Sequence, residues 1–169
     1  MDEPVPIPHD QVTTQPSLVA KMVEALELGG DETVLEVGTG HGYQTALLAE
    51  LARSVWSVER FPDLAATARE NLERHGAHNV EVVVADGTLG LPEHAPYDAI
   101  VVAAAFPHVP DPLAAQLAPG GRLVHPLGPG GHEEVALFEK GPRELVRSRT
   151  IVGAHFVRLV GERGFSPEA

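Results

Sequence analysis

The spacing of apolar residues along this chain switches repeatedly between a helical and an extended period. Leu18, Val19, Met22, Val23 and Leu26 recur at helical spacing behind Pro16, a residue suited to the first turn of a helix, and the stripe stops at Gly29-Gly30. Residues 33–37 form a short apolar strand run. Helical spacing returns from 43 to about 52, with Leu47, Leu48 and Leu51 predicted on the buried face. Residues 54–59 read as a strand. Pro62-Asp63 opens a further helix, 64 to about 74, which Gly76 stops. Residues 80–85 are a β-branched run of the kind expected for a strand buried on both faces of a parallel sheet. Residues 97–102 predict another strand, 113–117 a short helix and 122–127 a fifth strand. After Gly131, residues 135–139 and about 145–160 predict late antiparallel strands around the turn Lys140-Gly-Pro142.

Strands alternating with helices predict an α/β fold: a single-domain, doubly wound, Rossmann-like sheet with helices on both faces. It is expected to be mainly parallel, with at least one antiparallel C-terminal strand. Residues 1–15 hold three prolines and little periodicity, so they are expected to be an arm, with residues 16–169 forming the one domain. Ligands of such sheets bind at the carboxyl ends of the strands. Residues 38–42, Glu59, Asp86-Gly87 and 103–105 all fall at those ends.

The chemistry concentrates in Val34-Leu-Glu-Val-Gly-Thr-Gly-His-Gly-Tyr43, a strand running into a glycine loop with a helix behind it. Gly38, Gly40 and Gly42 allow close approach of backbone to a ligand, and Glu59, ending the next strand, is placed to accept ribose hydroxyls. The glycines run G-x-G-x-G rather than G-x-G-x-x-G, and Glu36 lies two residues before the loop. A carboxylate there suits a cofactor carrying positive charge better than a pyrophosphate. S-adenosylmethionine, with its sulfonium and ammonium, is the natural candidate.

Composition narrows the partners. The formal net charge of -12 repels phosphate backbones, so nucleic acid is not the expected partner. The absence of cysteine excludes disulfides and thiolate chemistry, and fits a reducing, cytoplasmic setting. No apolar run reaches membrane-spanning length and the N-terminus does not read as a signal peptide, so no membrane partner is expected. The histidines lack zincin spacing, so no metal is expected.

In order along the chain, Val34-Leu-Glu-Val-Gly-Thr-Gly-His-Gly-Tyr-Gln-Thr45, Val58-Glu-Arg60, Ala85-Asp-Gly-Thr-Leu-Gly90, Ala95-Pro-Tyr-Asp-Ala-Ile100 and Gln116-Leu-Ala-Pro-Gly-Gly-Arg-Leu-Val124 resemble the protein-L-isoaspartate O-methyltransferase family. The resemblance covers most of the chain. It implies methyl transfer from S-adenosylmethionine, leaving S-adenosylhomocysteine, to the α-carboxylate of L-isoaspartyl residues in damaged proteins or peptides. It places Glu36, Gly38, Thr39, Gly40, Gly42, Glu59, Arg60, Asp86 and Gly87 on the cofactor, with Asp86 on the adenine side. Thr14 takes the place of a serine beside the reacting groups. Thr13, Gln15, Pro16, Ala103 and Ala104 are implied on the acceptor side. The expected assembly is a monomer.

The departures from the family gather at that acceptor side. Thr14 adds a methyl to the usual serine, Ala103 replaces a threonine, Arg158 stands where a proline is usual, and the N-terminal helical region is mostly missing. Two other readings therefore stay open: a small-molecule or biosynthetic-peptide methyltransferase on the same scaffold, and a non-catalytic S-adenosylmethionine-binding module.

Overall fold

The computed structural model describes residues 1–168. In chain order the elements are β1 (Pro6–Ile7), β2 (Gln11–Val12), α1 (Pro16–Ala25), β3 (Thr33–Val37), α2 (Tyr43–Leu51), β4 (Ser54–Glu59) and α3 (Pro62–His75). There follow β5 (Val80–Val84), β6 (Tyr97–Val102), α4 (Asp111–Gln116), β7 (Leu117–Leu127), β8 (Glu133–Lys140) and β9 (Leu145–Ala154). Two 3-10 turns, Gly87–Leu89 and Pro92–His94, lie between β5 and β6.

Seven strands form one sheet in the order β5-β4-β3-β6-β7-β8-β9. The first five neighbours pair in parallel, β8 runs antiparallel to both β7 and β9, and β8 is thus the one reversed strand of the sheet. This is the mainly parallel α/β sheet that the alternating pattern predicts. The chain leaves β3 towards β4 on one side and returns to β6 on the other, so the crossovers diverge at the carboxyl ends of β3 and β6. That divergence opens a crevice.

Two apolar layers sandwich the sheet. One face packs Leu18, Val19, Met22 and Val23 of α1 and Leu48 and Ala49 of α2 on Val34, Val55, Val101 and Val124. The other packs Leu113 of α4, Leu91 and Leu159 on Leu35, Val58, Ile100 and Leu123. α3 extends the first layer through Ala65 and Leu72 against Val82.

Several expectations change in detail. Within α2 the buried residues are Gln44, Thr45, Leu48 and Ala49, whereas Leu51 is 40% exposed. The helix has turned its polar first turn inward, for a reason given below. β5 is an edge strand, so Val84 faces solvent instead of a second layer. β7 starts at Leu117, ahead of the expected 122, because Tyr97 already pairs with Leu117 across an irregular stretch. β9 ends at Ala154. Residues beyond it leave the sheet and fold back over the strand ends, held by Ala105 N–H donating to Val157 O and Leu159 N–H donating to Ala105 O, each at 2.7 Å.

The arm is ordered as well. β1 and β2 form a hairpin whose turn places His9 and Asp10 in the left-handed region, at φ 64° and 56°. The His9 ring stacks on Phe61 at 4.1 Å, and its Nε2 meets the Asp63 carboxylate at 2.8 Å. These contacts lay the hairpin across the crevice.

The turned α2 gives a direct test. Leu48→Ala should cost about 2–5 kcal/mol in urea unfolding, the range for emptying a buried leucine site. Leu51→Ala should stay within about 0.5 kcal/mol, as at other solvent-facing positions. Equal losses at the two sites would contradict this orientation.

Candidate functional site

The glycine loop begins where β3 ends. Gly38 takes φ 98°, Gly40 φ 56° and Gly42 φ 90°, conformations that side chains disfavour. Each glycine also has a distinct neighbour. A Cβ on Gly38 would sit 3.4 Å from the Ala103 Cβ, so the loop lies directly on the end of β6. A Cβ on Gly42 would meet Leu72 and Ala68 of α3 at 3.4 and 3.5 Å. Gly42 is therefore the start of α2 and a packing site for α3, not part of the crevice wall where sequence reasoning put it.

The crevice is lined by Gly38, Thr39, Gly40 and His41 of the loop, Glu59, Arg60 and Phe61 after β4, Gly87, and Ala103 and Ala104 after β6. Ile7, Gln11, Val12, Thr13 and Thr14 of the arm close one side, and Val157, Arg158, Leu159 and Val160 another. Glu59 is 5% exposed, and both its oxygens are already oriented: Gly40 N–H donates to Oε2 at 2.9 Å and Phe61 N–H to Oε1 at 3.1 Å. Each oxygen keeps a free lone pair for a hydroxyl donor. Gly87 must be small because a Cβ would fall 2.4 Å from Val37 Cγ1.

Glu36 lies under the loop, fully buried, and it does not line the crevice. Its Oε1 accepts the hydroxyls of Thr45 and, at 2.6 Å, Ser57; its Oε2 accepts Gln44 Nε2–H at 2.9 Å. Since Ser57 gives its proton to Glu36, the 2.5 Å contact between Ser57 and Thr39 places the Thr39 hydroxyl as donor. Burial pushes the Glu36 carboxyl up to about 7 against the lowering pull of these three donors, and the Glu59 charge pushes the same way. This network is why Gln44 and Thr45 of α2 face inward. Without their donors the acid would be stranded in the core.

Asp86 is also turned away from the crevice. Its Oδ1 accepts the N–H and hydroxyl of Thr88 at 2.9 and 2.7 Å, and its Oδ2 accepts Glu162 N–H at 2.8 Å. It caps the 3-10 turn after β5 and anchors the C-terminal fold-back, while its neighbour Gly87 reaches the crevice.

A second cavity of about 310 Å³ adjoins the first. Val12, Thr13, Thr14, Ala103 and Val157 line both. Pro4, Gln15, Ser17, Leu18, Lys21 and residues 152–156 complete the second. Of the expected acceptor-side residues, Thr13, Thr14 and Ala103 thus stand at the junction, Gln15 in the second cavity and Ala104 in the first. Pro16 lines neither; it fills the first turn of α1. The Thr13 oxygen also accepts Val5 N–H at 2.9 Å, which fixes the arm.

Sequence reasoning missed Gln44, Ser57, Phe61 and Ile7 at or beneath the site; of residues 157–160 it singled out Arg158, on the acceptor side. The one available signal was Gln44-Thr45 directly after the loop, two polar residues ahead of the apolar run Ala46-Leu-Leu-Ala49.

The model of the family described as protein-L-isoaspartate(D-aspartate) O-methyltransferase matches residues 1–164. The chain is 51% identical over 164 residues to protein-L-isoaspartate O-methyltransferase 1 of Syntrophobacter fumaroxidans, an alignment that covers 97% of this chain and 76% of that relative. It is 52% identical over 168 residues to the protein-L-isoaspartate O-methyltransferase of Methanoculleus marisnigri, covering 99% and 76%. A solved protein-L-isoaspartate O-methyltransferase superposes with a TM-score of 0.83 at 32% identity; the match covers 93% of this chain and 51% of that one, so the chain spans about half of it. A putative protein-L-isoaspartate O-methyltransferase from Plasmodium falciparum, solved in complex with S-adenosyl-L-homocysteine, shares the fold at a TM-score of 0.80 and 22% identity, covering 95% and 81%. With the family model matched over nearly the whole chain and relatives at about half identity, the chain belongs to the protein-L-isoaspartate(D-aspartate) O-methyltransferase family.

Proposed function

We propose that this chain methylates the α-carboxylate of L-isoaspartyl residues in proteins or peptides, using S-adenosylmethionine, as a cytoplasmic protein-repair enzyme. The observation that carries the reading is the meeting of two cavities at Thr13, Thr14 and Ala103. One cavity is built on the glycine loop and Glu59. The other opens towards α1 and the end of β9.

The residues of the first cavity fit the cofactor. Glu59 offers two oriented acceptors to ribose hydroxyls, and the loop backbone permits close approach. Glu36 and Glu59 supply negative charge around a cation-bearing ligand. S-adenosylmethionine, when bound, supplies an electrophilic methyl group. The acceptor carboxylate has a reference pKa near ~4 and needs no general base at neutral pH. The chain's own contribution is therefore alignment and exclusion of water. The arm hairpin, pinned by His9, and residues 157–160 flank the junction on two sides. Thr14 presents a hydroxyl between the cavities, where it orients the acceptor carboxylate or the transferring methyl.

Incubation with an isoaspartyl peptide and S-adenosylmethionine tests the reading. A base-labile methyl ester is the expected product. A base-stable methylated product would favour a different acceptor, and tight cofactor binding with no turnover a binding module.

Two variants test the parts. Glu59→Ala should weaken binding of S-adenosylhomocysteine by about 1–3 kcal/mol in calorimetry, the scale for hydrogen bonds to a charged group. Unchanged affinity would remove Glu59 from the ribose site. Thr14→Ser should preserve or raise turnover of the isoaspartyl peptide. Thr14→Val should lower turnover while cofactor affinity stays nearly constant, because only the hydroxyl is lost. Parent-like turnover by Thr14→Val would dismiss the hydroxyl.

A further inference from the structure

Gln44 carries an unfilled valence. The residue is 7% exposed, lines the crevice and is the second residue of α2. Its Nε2 donates to Glu36, but its Oε1 is closed to bulk water and has no donor among the described residues. A buried carbonyl left unpaired costs on the order of 1–3 kcal/mol. Reversing the amide gives no relief while Glu36 is ionised, because two acceptor oxygens would then face each other. The observed orientation therefore belongs to the ionised acid, and it leaves one acceptor waiting beside the crevice.

The chemistry of the cofactor's amino-acid end matches this vacancy. That end carries a carboxylate and an ammonium on one carbon. The start of α2 and the loop N–H groups suit the carboxylate, since a helix N-terminus favours anions. The same dipole repels the ammonium, which needs an acceptor with negative charge behind it. We propose that Gln44 Oε1, oriented by Glu36, receives the cofactor's α-ammonium, and that this contact requires Glu36 to be ionised. The inference rests on the cofactor reading above. Presenting Oε1 to the crevice takes a turn about the terminal torsion of Gln44, a torsion that is broad in amide side chains.

Protonating Glu36 reverses the arrangement. A neutral acid donates to Oε1, the amide turns over, and an N–H faces the crevice where an acceptor is needed. Burial pushes the Glu36 carboxyl up to about 7, so an appreciable fraction is neutral near that pH. Ser57 on β4 and Gln44 and Thr45 on α2 contact the acid without titrating, and Val101 of β6 lies beside it in the sheet. Glu59 is the charged group whose field reaches it, and it favours the protonated form. Bringing an ammonium to Gln44 should then expel the proton.

The test compares S-adenosylhomocysteine with 5′-methylthioadenosine, which keeps the adenosine and the sulfur but lacks the amino-acid end. In calorimetry, Gln44→Leu should weaken S-adenosylhomocysteine at least about ten-fold, the scale of a hydrogen bond to a charged group. The affinity of 5′-methylthioadenosine should stay within about two-fold, since it has no ammonium to lose that bond. For the unaltered protein at pH 6.5, titrations in phosphate and in imidazole buffers should show proton release with S-adenosylhomocysteine and none with 5′-methylthioadenosine. Glu36→Gln should abolish that release. Equal weakening of both ligands by Gln44→Leu, or equal proton release by both, overturns the inference and leaves the cofactor site standing. Failure of both ligands to bind the unaltered protein overturns the cofactor reading and the inference together.

Discussion

The site depends on a carboxylate buried beneath its glycine loop. Glu36 occupies an interior strand of the sheet, where an unpaired charge is costly. Three side-chain donors hold it, two from the first turn of α2 and one from β4. Those donors dictate how α2 is rotated, and so which leucines of the helix reach the core. Through Ser57 the same acid sets Thr39, and Thr39 is a residue of the loop itself. Loop shape, helix orientation and strand pairing are thereby tied to one group. Glu59, one strand away, repeats the device at the rim, where Gly40 and Phe61 N–H groups replace side-chain donors.

That dependence also explains what the sequence made legible. Period and punctuation were enough for the order of strands and helices, the parallel sheet and the reversal after Gly131, because burial of apolar faces decides those features. The glycine loop and Glu59 were legible because their residue types have few alternative uses at a strand end. The inward face of α2 was not, since apolar spacing favours Leu51 and cannot register that Gln44 and Thr45 are required by an acid on another element. Gly42 looked like its two neighbours in the loop and shares their positive φ, yet its contact with α3 separates it from them. The arm read as irregular because two-residue strands are shorter than any periodic signal.

The acceptor side shows a different limit. Thr14 and Ala103 look like isolated exchanges in the sequence, but they face the same junction between the two cavities. A methyl group gained at Thr14 and a smaller side chain at Ala103 alter the lining of one junction. A Cβ on Gly38 would also touch the Ala103 Cβ, at 3.4 Å, so the loop comes close to the residue at this junction. The glycine loop and the junction of the two cavities are therefore neighbours in this chain.

The C-terminal fold-back joins the two halves in a second way. Gly161 and Gly164 leave no room for side chains: a Cβ on the first would fall 2.1 Å from Asp86 Oδ1, and one on the second 2.3 Å from Leu159 O. Asp86 accepts Glu162 N–H and Thr88 accepts Arg163 N–H, so the turn is fastened to the loop after β5. Residues 157–160, which wall the crevice and, at Val157, the second cavity, are thus held at one end by Ala105, just past β6, and at the other by Asp86. An acid that the family pattern assigns to the adenine side here fastens the wall that shelters the junction. Its position beside Gly87 lets one loop carry both tasks, with the glycine facing the crevice and the carboxylate holding the cover in place.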